Sequence, residues 1–274
     1  MHHRSRAFIA ALAILGGSHV VLVAAMVLAD VAFVQTGSGL LRTLGAVFDS
    51  PEIRHSLWLS LGTCTLSALF SLVVAVPLGY LLAREKWRGK PVVEWLIDIP
   101  VVLPPLVVGL SLLILFQLRM GGGSVEERFN AIGFRVTYAV PAVVLAQFAV
   151  AASFAVRMLR LTFQQIPVRT EEVALTLGCT RARAFWRVAL PQARRGLLGA
   201  FTLAWARSLG EFGPILIFAG ATRGRTEVLS TTVFLELSVG RLESAVAVSL
   251  VMIATSVAAL GVVRWLGKEE GLSA

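Results

Sequence analysis

The spacing of apolar residues constrains this chain more than any other feature. A helix needs about 20 residues to cross roughly 30 Å of hydrocarbon. Apolar runs of that order lie near Ala7–Phe33, Leu57–Ala83, Val93–Leu118, Tyr138–Val156, Leu197–Ala219 and Ala245–Trp265. Lipid offers no partner to backbone N–H and C=O groups, so runs of this kind become helices. The expected fold class is an all-α polytopic membrane protein with six transmembrane helices. Composition agrees: 57% of the 274 residues are hydrophobic and 15% are charged, too little charge to cover a soluble domain of this size. The first run follows a basic start, MHHRSR. It exceeds a secretory h-region and has no clear small-x-small cleavage site, so it reads as a retained span.

Lys and Arg counts orient the spans. With the N-terminus in the cytoplasm, the inside segments hold 16 basic residues and the outside loops 8, while Arg207 falls within a span. Both termini and the connection from Arg157 to Gly196 are therefore expected in the cytoplasm. The net charge of +9 follows from this topology and calls for no nucleic-acid partner. Cys64 and Cys179 are expected to stay unpaired. His2 and His3 have no Cys, Asp or Glu nearby and fit a solvated terminus better than a metal site. No phosphate-binding loop is present, because Lys90 and Lys268 follow glycines but precede Pro91 and Glu269. No catalytic or metal-ligating constellation appears. In the outer loops, Gly121–Gly123 reads as flexible, and VLSTTVFLEL reads as an amphipathic helix at the outer interface.

One stretch departs from its surroundings. Glu171–Leu197, EEVALTLGCTRARAFWRVALPQARRGL, carries two glutamates and five arginines. Thr170 is placed to cap a helix, with Glu171 and Glu172 in the first turn, where the positive helix end favours them. Gly178 suits a left-handed helix end. Thr180 can cap a second helix expected to stop at Pro191. There Ala182, Phe185, Trp186 and Ala189 share a stripe, while Arg183 and Arg187 face away.

The order Glu172-Val173-Ala174, Gly178, Val188, Leu190, Pro191 resembles the EAA loop of ABC importer permeases, with Val173 for Ala and Val188 for Ile. The resemblance implies a coupling helix seated in a groove of a separate ATPase dimer, and it brings Arg183, Phe185 and Trp186 into that contact. An interfacial helix lying on anionic lipid is the plainer alternative. From about His55 to Leu266 the chain is similar to the type I, methionine-importer-like permease fold. This gives 1–54 as an N-terminal helix and outer loop, 55–266 as the transport domain and 267–274 as a cytoplasmic tail. RSLGEFGPILIFAG is similar to the molybdate, tungstate and sulfate permeases, although Pro214 stands where that group often has Ala-Thr.

Arg207 and Glu211 lie four residues apart within a span, about 15 and 21 Å from its cytoplasmic end. Such groups are costly in lipid unless paired or facing water, and this spacing lets them pair. Pro214 removes a helical donor and crowds the Gly210 carbonyl, so with Gly213 alongside the fifth span should kink or unwind. Pro100, Pro104 and Pro105 give the third span the same character. These residues form either a gate of spans three and five or a brace for the bundle. The resemblance implies an inner-membrane permease working as a homodimer, fed by an extracytoplasmic binding protein. This chain is expected to bind no cofactor, with ATP and magnesium on the ATPase. An ion-coupled secondary transporter and a non-transporting membrane anchor are the rival readings. A secondary transporter typically has inverted repeats, and none is visible.

Overall fold

The computed structural model describes residues 2–37, 39–119, 121 and 123–269. The side chains at 2–8, 10, 11 and 263–269 lie outside that description, and with them the His2–His3 pair. Gly122 and tail residues 270–274 also lie outside it.

The described residues form helices in the order α1 (His2–Thr36), α2 (Leu40–Asp49), α3 (Pro51–Arg84), α4 (Lys90–Val102), α5 (Pro105–Gln117), α6 (Val125–Ala131) and α7 (Val140–Gln165). Then come α8 (Val168–Thr176), α9 (Arg181–Ala184), a π-helical turn (Phe185–Ala189), α10 (Leu190–Gln192), α11 (Arg194–Leu209), α12 (Gly213–Phe218), α13 (Leu229–Ser238) and α14 (Leu242–Glu269). Among the described residues four helical stretches are each long and apolar enough to cross a membrane: Leu12–Thr36, Pro51–Arg84, Val140–Gln165 and Leu242–Val262.

The two other predicted runs are broken, as expected from their prolines. Val93–Leu118 divides into α4 and α5, which meet at a 116° bend. Leu103 takes the extended conformation that a following proline demands, and Pro104 and Pro105 start the next helix. Leu197–Ala219 divides into α11 and α12 across Gly210–Phe212. Pro214 then sits in the first turn of α12, where its missing donor is harmless. Inside a continuous helix it would cost about 3 kcal/mol.

The core is the packing of α3 against α7 and α11. The buried face of α3 is mostly small: Ser56, Ser60, Thr63, Cys64, Ser67, Ala68, Ser71, Ala75 and Gly79. Small residues let helices approach closely where hydrophobic expulsion supplies no drive. At Gly79 an added Cβ would lie 3.0 Å from the Arg160 backbone nitrogen, and at Gly196 one would lie 2.2 Å from Thr162. Hydroxyls and an indole N–H tie the same surfaces together: Ser67 and Ser208 lie 3.2 Å apart, and Trp205 donates to Thr65 at 3.2 Å. Cys64 is buried and unpaired, and Cys179 is also free. The described apolar side chains of α1 stay largely exposed, as for a helix facing lipid.

One outer-loop expectation changes. The VLSTTVFLEL segment forms α13, but its buried face holds Leu229, Thr231, Thr232 and Glu236, while Phe234 and Leu237 are exposed. Its polar side points inward because Arg223 reaches Glu236 at 2.7 Å and Thr231 closes the turn onto Val228. The loop around the glycines also contains a short helix, α6, fixed by a Ser124–Glu127 capping box.

Candidate functional site

Two constellations carry the unusual chemistry. The first is the connection after α7. Its turn follows the sequence closely: Gly178 has φ +85°, Cys179 N–H donates to the Ala174 carbonyl, and Gly178 N–H donates to that of Leu175. These paired bonds satisfy the end of α8. Thr180 accepts from Arg183 N–H at 3.3 Å and caps α9 as expected.

Three local expectations are corrected. Helix α8 starts at Val168 behind Pro167, so Thr170 lies inside the helix and its hydroxyl donates to the Pro167 carbonyl instead of capping. The second helix does not stop at Pro191. It widens into the π-turn, in which Leu190 N–H reaches back to Phe185, and then continues through α10 into α11. In an α-helix the donor to the Arg187 carbonyl would be Pro191, which has none, and the wider register removes that demand. The expected stripe also shifts: Ala184 and Ala189 are buried and Phe185 half-buried, but Ala182 is exposed and Trp186 is 64% exposed.

The predicted loop residues therefore divide. Glu172, Val173, Arg183, Trp186 and Pro191 face outward, while Ala174 is buried and Val188 and Leu190 are half-buried. What holds the loop in place was missed by sequence reasoning. Glu171, 7% exposed, accepts from Tyr80 at 2.5 Å and from Arg84 Nε at 2.9 Å. Arg84 also donates to the Ile166 carbonyl at 3.0 Å. The Tyr80 ring meets Phe185 edge-on at 4.8 Å and Phe163 at 5.4 Å. Tyr80 and Arg84 sit four apart at the end of a predicted span, a spacing that places both on one helix face. That was the available signal.

The second constellation is the break between α11 and α12. Arg207 and Glu211 form the expected ion pair at 2.7 Å, with the glutamate side chain 1% exposed and the arginine 30%. The guanidinium lies 5.8 Å from the centroid of the Phe154 ring, within cation–π range. Gly210 ends α11, and the Glu211 carbonyl accepts from Ser230 at 2.6 Å. Gly213 and Pro214 are both buried against the start of α5. A Cβ on Gly213 would lie 2.9 Å from that of Pro105, which follows Pro104, the N-cap of α5. A Cβ on Gly109 would lie 2.7 Å from Pro214 Cα. The third and fifth predicted spans thus meet through bare backbone, and Gly109 is a contact that sequence reasoning did not single out.

Residues 75–269 match the family described as binding-protein-dependent transport system inner membrane component. The chain belongs to this family. It is 33% identical over 225 residues to the molybdate/tungstate transport system permease protein WtpB of Pyrococcus abyssi, covering 82% of this chain and 83% of that protein. It is 36% identical over 208 residues to the molybdenum transport system permease protein ModB of Mycobacterium bovis, covering 76% and 77%. Among solved structures, a bacterial ABC transporter that imports the acidic polysaccharide alginate superposes with TM-score 0.69 at 20% identity, covering 96% of this chain and 95% of that one. The MetNI methionine ABC transporter gives 0.58 at 20% identity, covering 76% and 93%. The chain thus has the permease fold of ABC importers, a multi-pass membrane fold.

Proposed function

We propose that this chain is the membrane permease of an ATP-driven, binding-protein-dependent importer of a tetrahedral oxyanion, molybdate or tungstate ahead of sulfate. The carrying observation is the likeness, over most of the chain, to permeases named for molybdate and tungstate. Counting each broken pair as one crossing gives six, with residues 55–266 as the transport domain, 1–54 preceding it and 267–274 as the tail. The charge bias supports cytoplasmic termini in an inner membrane.

In this reading the hairpin from α8 to the π-turn is the coupling element. Its outward residues, Glu172, Val173, Arg183 and Trp186, enter a groove of a separate ATPase, which holds the ATP and magnesium. Helix α11 runs from this loop to the break at Gly210, about 24 Å for its 16 residues. A rod of that length carries displacement of the loop to the Gly109–Pro214 contact. A second copy of the chain completes the path, and a binding protein delivers the anion from outside.

Selection belongs upstream, since a conduit that must release its cargo cannot hold it tightly. Arg207 lowers the barrier to a dianion in a low-dielectric region to the extent that Glu211 leaves its charge uncompensated. The test is ATP-dependent uptake of labelled molybdate, tungstate and sulfate by proteoliposomes holding the permease, its ATPase and the cognate binding protein. Uptake of none of the three, beside robust uptake of a cation or neutral solute, would sink the substrate class and leave the importer architecture intact.

A further inference from the structure

The break between α11 and α12 is gripped from two sides. On one side Gly213 and Pro214 lie against the start of α5, where a Cβ on Gly213 would meet that of Pro105 at 2.9 Å. On the other side stand two residues of α13. The Ser230 hydroxyl donates to the Glu211 carbonyl at 2.6 Å, and the Phe234 ring meets that of Phe212 at 5.2 Å between centroids. Ser230 and Phe234 are four apart and so share a helix face. One face of α13 thus holds two successive residues of the unwound segment.

The two grips differ in kind. The α5 contact is steric, whereas the α13 contact answers a need that the break creates. Glu211 is buried and lies outside both helices, so its carbonyl has left the helical ladder. A buried backbone acceptor without a donor is costly. Ser230 supplies the donor from 19 positions further along the chain.

Helix α13 is itself anchored. The Leu229 N–H in its first turn donates to Ser60 of α3 at 2.8 Å, and Glu236 takes Arg223 at 2.7 Å. Since α3 is the centre of the core, α13 refers the break to the body of the bundle. The consequence falls on the ion pair. Arg207 reaches Glu211 at 2.7 Å, and its own side chain is 30% exposed where the glutamate's is 1%. A carboxylate on so short a tether follows its backbone, so fixing the Glu211 peptide fixes Oε1 and, through it, the guanidinium.

We propose that Ser230 is a positioning residue for the Arg207–Glu211 pair. Its hydroxyl sets the Glu211 backbone and thereby the direction in which Arg207 presents its charge to a passing anion. Ser230 acts through Glu211 and not on the anion. The effect on transport rests on the function proposed above, whereas the hold of Ser230 on the break does not.

Two measurements on the purified permease–ATPase complex test this. The first is amide hydrogen exchange over residues 206–216. Ser230→Ala should speed it by about fivefold, the weight of one hydrogen bond. Ser230→Thr keeps the hydroxyl and should restore the slow rate. Ser238→Ala is the control on the same helix, because that hydroxyl donates only within α13, to the Phe234 carbonyl at 2.8 Å. Exchange at the wild-type rate in Ser230→Ala overturns the proposal. The second is ATP-dependent uptake of labelled molybdate in proteoliposomes. Ser230→Ala should lower the maximal rate by about fivefold while the half-saturating concentration of loaded binding protein stays unchanged. In the background Arg207→Gln, Glu211→Gln the same change should make no further difference, since residues that act as a unit are not additive. An equal further fall in that background, or wild-type or faster uptake by Ser230→Ala alone, overturns the positioning role. Should the alanine variant fail to assemble, Ser230→Cys, close in size but a weak donor, is read in its place. If the wild-type complex moves none of molybdate, tungstate and sulfate, the substrate reading fails, and the exchange contrast still decides whether Ser230 holds the break.

Discussion

Glu171 Oε1 lies 2.8 Å from Arg84 Nη2, and both side chains are more than nine-tenths buried. Breaking a buried pair from one side strands the other charge and costs about 3–5 kcal/mol. Glu171→Ala should therefore destabilise the protein by that order and release the loop. Its exposed neighbour, Glu172→Ala, should stay within about 0.5 kcal/mol of wild type yet retain less ATPase on co-purification. Unfolding in detergent and ATPase pull-down check both, and equal stability of the two variants would remove the clamp from the account.

Gly178 turns the chain at φ +85° with nothing within 4 Å of where a Cβ would be. Its role is conformational and not steric. Gly178→Val should cost about 1–2 kcal/mol of left-handed strain and lower binding-protein-stimulated ATP hydrolysis. Gly178→Asn should come closer to wild type, since asparagine visits that region. Hydrolysis by the valine variant at the wild-type rate would contradict this.

Gly109 meets Pro214 backbone to backbone. Its Cβ would lie 2.7 Å from Pro214 Cα and 2.9 Å from the Pro214 oxygen, neither of which is the mobile end of a side chain. Gly109→Ala should leave the permease inserted and abolish most ATP-dependent uptake. Gly62→Ala on α3, with open space around it, should transport normally and serve as the control.

Arg207→Gln strands Glu211, so less complex should assemble and uptake should slow. Adding Glu211→Gln removes the uncompensated carboxylate. The double variant should recover assembled complex, measured by size-exclusion yield, while uptake per complex remains slow. Recovery of full transport by the double variant would assign the pair to bracing alone.

Between α12 and α13, burial pushes the Glu227 carboxyl above the usual carboxylate range. Glu236 and Glu52 add to the rise, and the Thr232 hydroxyl and Arg223 oppose it. Arg241 and Glu52 share its small polar cavity. The folded state then binds this proton more tightly than the unfolded state does. The group's contribution to stability is fully present below the unfolded pKa and is lost as pH rises through the raised folded value. Glu227→Gln should raise the Tm at neutral pH and flatten its dependence on mild acidification. A variant with the wild-type Tm profile would refute the burial argument.

The turn after α8 and the ion pair beyond the loop were legible because their signals are local. Gly178, the Thr180 cap and the Arg207–Glu211 pair each depend on residues no more than four apart, and the structure places all three as the spacing requires. Pro191 was legible as a disturbance but not in its outcome. A proline forbids one hydrogen bond, and the packing of Phe185 on Tyr80 and Phe163 keeps the chain helical around that loss.

The sequence by itself determined a helical membrane chain, the turn at Gly178, the intramembrane ion pair and the breaks at Pro104 and Pro214. These follow from hydrophobic length, glycine and proline backbone limits and helical spacing. Only the tertiary structure decided which glutamate anchors the loop, since Glu171 and Glu172 read alike until Arg84, 87 positions away, selects the first. It also decided that α13 turns its threonines and Glu236 inward and that Gly109 lies on Pro214. Apolar patterning sets how strongly a face seeks cover, whereas a polar face goes inside only when a partner from elsewhere in the chain, here Arg223 for Glu236, is waiting for it.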